Sequence, residues 1–321
     1  MTTFSLGQQW VSKVTTADED DMPVVGFVER HPPRREELDQ VLAELARSET
    51  VREMSRRKWI QPTATTVKHR VVERGGALLD FLTAHRPAMP AYAMFKRREA
   101  RTGQALINEV ATQAWISHIT QNVQHVHRAN AFRANNLSRD FLRSVAQLST
   151  RPDGPRSALN AVRNVGIHVI IESGLPGMSV DGASFHHTGS APVIALTARL
   201  DRLDNFWFTL FHELGHIYLH LRDPSVDIFV DSEEEAEGDD LYAEREAEAN
   251  AFAKDSLIPR DLWLRSDAYR IGSEASVIAL AKQLDIHAAI VAGRIRHERR
   301  DFRLFNDLIG QGQVREVVFG A

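Results

Sequence analysis

The chain contains no cysteine in 321 residues. Disulfides, cysteine-ligated zinc fingers and a cysteine nucleophile are therefore excluded, and the absence fits a reducing compartment. Long apolar runs are also missing. No stretch approaches the ~18 apolar residues that a membrane-spanning helix needs. The opening residues, Met1 to Trp10, lack a basic segment followed by an apolar one, so a cytoplasmic protein with no membrane partner is expected. A dominant charge is missing too: 39 Lys and Arg stand against 43 Asp and Glu, a net −4. There is no internal repeat and no long low-complexity tract. What remains is ordinary for a soluble globular protein, with 43% hydrophobic and 26% charged residues. The length suggests two or three domains and a substantial core.

Within this ordinary background one stretch stands out, Phe208 to His220, which holds His212-Glu213-Leu214-Gly215-His216 in an apolar, helix-compatible run. Residues four apart share a helix face, so His212 and His216 can address one metal ion. Glu213 then sits beside that ion, placed to take a proton from a polarised water. Two core histidines and a carboxylate buried without a metal would all need polar partners, and the neighbouring sequence does not offer them.

A catalytic zinc usually takes three protein ligands and keeps one position for water. The third is sought in Glu244 to Ala253, an Ala- and Glu-rich helix former. Glu246, Ala249, Asn250 and Ala253 share one face of small residues that can approach the motif helix closely. Glu246 would reach the metal, with Asn250 one turn on as its hydrogen-bonding support. Glu248, roughly 200° away on the helix, is the second choice for this ligand.

Along the chain, 34–57 suits an amphipathic helix, with a short strand at 24–28 before it. Further helices are expected at 67–83, 96–129 and 137–148. Thr150 to Pro155 is the strongest linker signal. After it come a helix at 157–164 and strands at 168–172, 180–187 and 192–197, the last two joined as an antiparallel hairpin by Thr188-Gly189-Ser190. The motif helix follows at 203–221. A hairpin before such a helix offers a sheet edge to which an extended peptide could add. Residues 223–243 read as an acidic loop. The segment 276–296 forms two short helices about a turn at Asp285-Ile286, spaced like a helix-turn-helix and followed by several arginines. Its second helix opens with His287-Ala288-Ala289, which offers little to base edges, so packing against the part that holds the motif helix is favoured over DNA reading.

The run H-E-L-G-H, then E-x-E-A-N-x-F-A at Glu244 to Ala253, then Leu257-Ile258-Pro259 resembles the ImmA/IrrE family of zinc metallopeptidases. The stretches Pro192 to Leu196 and Asp204 to Leu210 are similar to the branch fused to HigA-type antitoxin regulators. The likeness extends from about Trp115 to about Asn306. It implies zinc as cofactor, with His212, His216 and Glu246 as ligands and Glu213 as general base. HigA-type members carry an N-terminal DNA-binding helix-turn-helix, and residues 1–60 contain no such pattern.

The expected fold is α+β, arranged as an irregular segment at 1–50, a helical basic domain at 51–150, a zincin-like (gluzincin-like) metallopeptidase domain with a small antiparallel sheet at 155–265, and a helical C-terminal region at 266–321. The expected function is hydrolysis of a peptide bond in a specific regulatory protein, a repressor or antitoxin, in a stress-response or toxin–antitoxin setting. The alternative is a regulator in which the zinc fold is a sensor or binding module. Tyr218, Tyr242, His186, His187 and His220 are the candidates for stabilising an oxyanion. Charge adds one partner: residues 51–101 hold 12 Lys and Arg against 4 Asp and Glu, net +8, while 222–248 hold 2 against 12, net −10. The basic stretch is a candidate nucleic-acid surface, although its few aromatics argue against single-strand stacking.

Overall fold

A small sheet with helices on both faces frames the molecule. The computed structural model describes residues 13–16, 24–27, 44–61, 74, 76–78, 80–82, 104–123, 131–187, 191–221, 228–232 and 240–320. Two strands, β1 (Lys13–Thr16) and β2 (Val24–Phe27), pair antiparallel. The N-terminal helices are α1 (Glu49–Arg56) and α2 (Gln104–Val123). Residues 44–47 are also helical, but Ser48 takes an extended conformation and caps α1 by accepting from Val51 N. The single helix expected over 34–57 is thus interrupted, because a serine at an N-cap satisfies a donor that a continuous helix would not leave free. Of the helix expected at 67–83, residues 74, 76–78 and 80–82 are described and are helical, with Leu78 and Phe81 buried, while most of the basic 51–101 stretch lies outside the described residues.

Next come α3 (Arg139–Gln147) and α4 (Gly154–Asn164). The segment expected to be a linker is a tight joint between these two. Leu148–Thr150 makes a short 3-10 turn, and α4 already begins at Gly154 with a proline in its first turn. The sheet comprises β3 (His168–Ile171), β4 (Val180–His187), β5 (Ala191–Leu196) and β6 (Ile228–Ser232) in the order β3-β5-β4-β6. The antiparallel sheet of the sequence reading is in fact mixed. Two reversals between β3 and β5 restore the strand direction, and β5 inserts parallel to β3 with His168 opposite Val193. β6 arises inside the acidic loop and pairs with β4, so the hairpin edge expected to be open is covered.

β5 is buried along its whole length, and its period of two divides the molecule into two cores. Ile194 and Leu196 face one core, with α3, α4, the motif helix and the C-terminal helices. Val193 and Ala195, with Ala183 and Phe185 of β4, face another core built from α1 and α2, including Met54, Trp115 and Ile119.

The motif helix is α5 (Leu203–Leu219). It is followed by α6 (Asp240–Leu257), α7 (Arg260–Arg265), α8 (Asp267–Arg270), α9 (Glu274–Leu284), α10 (Ala288–Arg299) and α11 (Arg315–Phe319). Arg202, the N-cap of α5, makes no side-chain cap bond. The first amides are satisfied instead from the far end of the chain: Leu203 N donates to Gly310 O and Asp204 N to Ile309 O. Gly310 is needed there, since its φ is +67° and a Cβ would lie 2.5 Å from Leu203 Cδ1.

The pair α9 and α10 turns at Asp285, which is left-handed. Ala289, Ile290, Val291 and Ala292 at the start of α10 are buried, so the residues that would enter a DNA groove lie in the protein core. The nearby arginines serve structure. Arg294 donates to Lys254 O and Ile258 O and covers Trp263, while Arg296, 3% exposed, donates to Leu304 O and Asn306 Oδ1.

The N-terminal helices are clamped to the sheet at Glu172, just past β3. Trp115 Nε1 donates to Glu172 O at 2.9 Å, and Arg57 reaches Glu172 Oε1, Ser173 O and Gly174 O. His118 stacks on Trp59 with ring centroids 3.9 Å apart. Burial, helped by the Arg57 charge, pushes the His118 pKa from 6.5 down to about 4. The native imidazole therefore holds fewer protons than the unfolded one between those values. Its contribution to stability is complete above pH 6.5 and is lost as pH falls towards 4. Burial raises the Glu172 carboxyl, which works in the opposite sense, so the comparison must isolate the histidine. Between pH 6.5 and 4 the wild type should lose on the order of 1–3 kcal/mol relative to His118→Gln. Denaturation followed by tryptophan fluorescence across that range would show it, and a flat difference would mean that His118 is not held neutral by the clamp.

Candidate metal centre

Helix α5 is apolar almost all round, with Phe206, Trp207, Leu210, Phe211, Leu214 and Ile217 buried. Into this surface it sets three polar side chains that are also buried: His212 (1% exposed), Glu213 (0%) and His216 (0%). Such groups need compensation within the fold. Much of it comes from α6, which approaches α5 unusually closely. A Cβ at Gly215 would lie 3.2 Å from Ala249 Cα and 3.3 Å from Ala249 O. Ala249 and Ala253 are both fully buried. The small-residue face expected on this helix is therefore what meets α5.

At that contact His212 Nε2 and His216 Nε2 stand 2.9 Å apart. Glu246 places Oε2 3.2 Å from the first and Oε1 3.3 Å from the second. The ligand atoms of His212, His216 and Glu246 all lie within 4.8 Å of one another. Glu248, the second choice from sequence, does not join them. Its carboxylate accepts from His220 Nε2 at 2.9 Å.

The protonation pattern suits a cation. His212 Nδ1 lies 3.2 Å from Asn250 Oδ1, so an Nδ1–H donated to that amide oxygen leaves Nε2 bare and facing the cluster. Burial lowers the His216 pKa to about 4, with the neighbouring imidazoles acting in the same direction and Glu246 against it. For Glu246 burial alone would raise the carboxyl, yet hydrogen bonding and charge from His212 and His216 bring it to about 2. At neutral pH this gives a neutral His216 and an ionised Glu246, with His212 Nε2 turned to the same point. Two nitrogen lone pairs 2.9 Å apart repel unless something positive lies between them. The donor set, two imidazoles and one carboxylate, is of the kind that binds divalent zinc-like ions.

Glu213 stands outside this trio and faces the sheet. A Cβ at Gly182 on β4 would lie 2.5 Å from Glu213 Oε1, so glycine is what lets the carboxylate lie against the strand. The pattern of the sequence alone did not reveal this contact, because β4 and α5 meet only in the fold. Of the oxyanion candidates, His186 bonds Leu221 O, and Tyr218 packs on Phe252 with ring centroids 5.4 Å apart. Tyr242 is half-buried against the core, and the His187 side chain lies outside the described residues. His220 is drawn to His216 and Glu248. Its i+4 spacing from His216 was the available signal.

The contact at Gly182 yields a double-mutant test. Gly182→Ala should cost roughly 1–3 kcal/mol through overpacking. Part of that cost should vanish when Glu213→Ala is added, because the obstructing carboxylate is gone. Urea denaturation of the two single variants and the double variant measures the coupling. Additivity within about 0.5 kcal/mol would show that the two residues do not press on each other.

Comparison with known proteins fits this geometry. No match is found among curated proteins. Residues 162–296 match the family model Peptidase_M78, described as an IrrE N-terminal-like domain, a span that holds the whole sheet together with α5 and α6. Over residues 162–296, the chain carries a peptidase-family domain of the ImmA/IrrE type.

Proposed function

We propose that the protein is a zinc-dependent endopeptidase of zincin-like (gluzincin-like) design that hydrolyses a peptide bond in a specific regulatory protein, a repressor or antitoxin in the cytoplasm. The observation that carries this reading is the convergence of His212, His216 and Glu246 with a buried Glu213 beside them. A purely structural metal site would have no use for that extra carboxylate. The rival reading, a regulator in which the fold only senses or binds, gains nothing from α10, whose opening residues are buried.

His212, His216 and Glu246 would hold the ion. Zinc bound there would supply Lewis acidity, polarising the scissile carbonyl and making water a stronger acid. Glu213 accepts one proton from the attacking water as its oxygen bonds to the carbonyl carbon. It then delivers that proton to the amine nitrogen as the C–N bond breaks, so atoms and charge balance. Gly182 leaves the Glu213 carboxylate room to do so without a steric shift. Asn250 orients the His212 ring through Nδ1. Because β6 covers β4, an extended substrate that adds to this side of the sheet would pair along the outer side of β6 and not on the hairpin itself. The dedicated substrate is suggested by the family and by the separate helical core on the far face of the sheet, which could recruit or restrict it.

Metal analysis and cleavage assays test the assignment together. His212→Ala, His216→Ala and Glu246→Ala should each remove the zinc. Glu213→Gln should retain it and lose most cleavage, roughly 100-fold or more. Full zinc occupancy in Glu246→Ala with loss in Glu248→Ala would transfer the third ligand to Glu248. Cleavage should be confined to repressor-type proteins encoded beside this gene, and rapid digestion of casein would defeat the claim of selectivity.

A further inference from the structure

We propose that His220 and Glu248 are positioning residues that fix the tautomer and the orientation of His216. The inference rests on the zinc reading above. His216 Nδ1 lies 3.1 Å from His220 Nδ1, and His220 Nε2 lies 2.9 Å from Glu248 Oε2. An ionised carboxylate can only accept a hydrogen bond, so the hydrogen between the last pair belongs to His220 Nε2. In the neutral form of His220 this is the single N–H, which leaves His220 Nδ1 as an acceptor. The hydrogen between the two Nδ1 atoms therefore belongs to His216. His216 Nε2 is then bare, and it is this atom that faces His212 and Glu246. One acceptor at the outer end of the chain determines every proton inward of it.

The helix geometry explains how α6 contributes twice. Viewed down the axis at 3.6 residues per turn, Glu246 lies about 60° to one side of Ala249 and Glu248 about 100° to the other. Ala249 is where the backbone of α6 comes against Gly215 of α5. The two glutamates thus flank the contact, and they meet His216 on α5 and His220, its C-cap four residues on. His220 is 8% exposed, so its ring is held within the protein, while the Glu248 side chain is 54% exposed and anchors the chain from the rim. His212 has its own orienting group in Asn250. Each imidazole of the site is therefore held from behind by a separate partner.

The test uses the full-length protein and zinc itself. Zinc affinity is read by competition with a chromogenic chelator, and the His216 tautomer by nitrogen NMR of histidine-labelled, zinc-free protein. His220→Phe and Glu248→Ala should weaken zinc binding by roughly 10- to 100-fold and convert His216 from one Nδ1–H form to a mixture. Glu248→Gln, whose amide oxygen can still accept, should stay within about threefold of wild type. Circular dichroism of the zinc-free variants checks folding, and exposed Glu248 keeps the test open should His220→Phe fail to fold. Unchanged affinity and tautomer in Glu248→Ala, or an Nε2–H form of His216 in wild type, would overturn the proposal. A wild type that binds no zinc while the tautomer still shifts in Glu248→Ala would sink the zinc reading and leave the positioning role standing.

Discussion

The close approach of α5 and α6 at Gly215 and Ala249 is the constraint on which the candidate site depends. A glycine inside a helix costs about 1 kcal/mol relative to alanine. Here it allows two backbones to come so near that a short carboxylate side chain on α6 can touch two imidazoles on α5. A longer separation would leave His212 and His216 buried with half their hydrogen-bonding capacity unmet. The same contact brings Asn250 and Glu248 within reach of the outer ring nitrogens of α5. One steric fact at one residue thus sets the inner ligands and their supports together.

Other elements hold α5 against that contact. β4 meets it through Gly182 and Glu213, which fixes the carboxylate relative to the sheet. The C-terminal segment caps its first turn through Ile309 O and Gly310 O, while Asp201 Oδ1 accepts from Val314 N and Arg315 N. α10 lies close enough that a Cβ at Gly293 would meet Asp204. The C-terminal helices therefore act on the site by supporting its helix. Arg294 and Arg296 of α10 serve the same end, engaged with carbonyls of the surrounding segments. The covered hairpin edge has a similar logic: β6 satisfies the outer backbone groups of β4, the strand nearest Glu213.

What could be read from the sequence was local. Four-residue spacing placed His212 and His216 on one face, and i, i+3, i+4, i+7 spacing placed Glu246, Ala249, Asn250 and Ala253 on another. Both depend only on helix geometry, and the described helices carry them so. The strands after Gly166 were likewise legible from β-branched content. What escaped was non-local. The parallel placement of β5 beside β3, the strand within the acidic loop, the Gly182–Glu213 contact and the capping of α5 by residues 309–310 all join segments far apart in sequence. No periodicity encodes such pairings. The role of Glu248 escaped for a subtler reason. Its angular distance from Glu246 was read as pointing away from the site, whereas a helix crossing at Ala249 can present both flanks to a partner. Thr150 to Pro155, read as a linker, turns over 151–153 and enters a helix at Gly154, because Pro and Gly also suit the first turn of a helix.

The buried polar groups themselves carry the last argument. A helix as apolar as α5 would pack at lower cost if His212, Glu213 and His216 were leucines, because desolvating a carboxylate and two imidazoles is expensive and pairing them rarely does more than offset it. Natural sequences depart from local rules mainly where function requires it. His212, Glu213 and His216 fall within little more than one turn of α5. Each has a defined neighbour: Asn250 behind His212, His220 behind His216, β4 beside Glu213, and Glu246 facing both imidazoles. A chance cluster of buried polar residues would show no such division between inward-facing and outward-facing atoms. An arrangement in which the inner nitrogens converge and the outer ones are each held by another group is what a cation site requires.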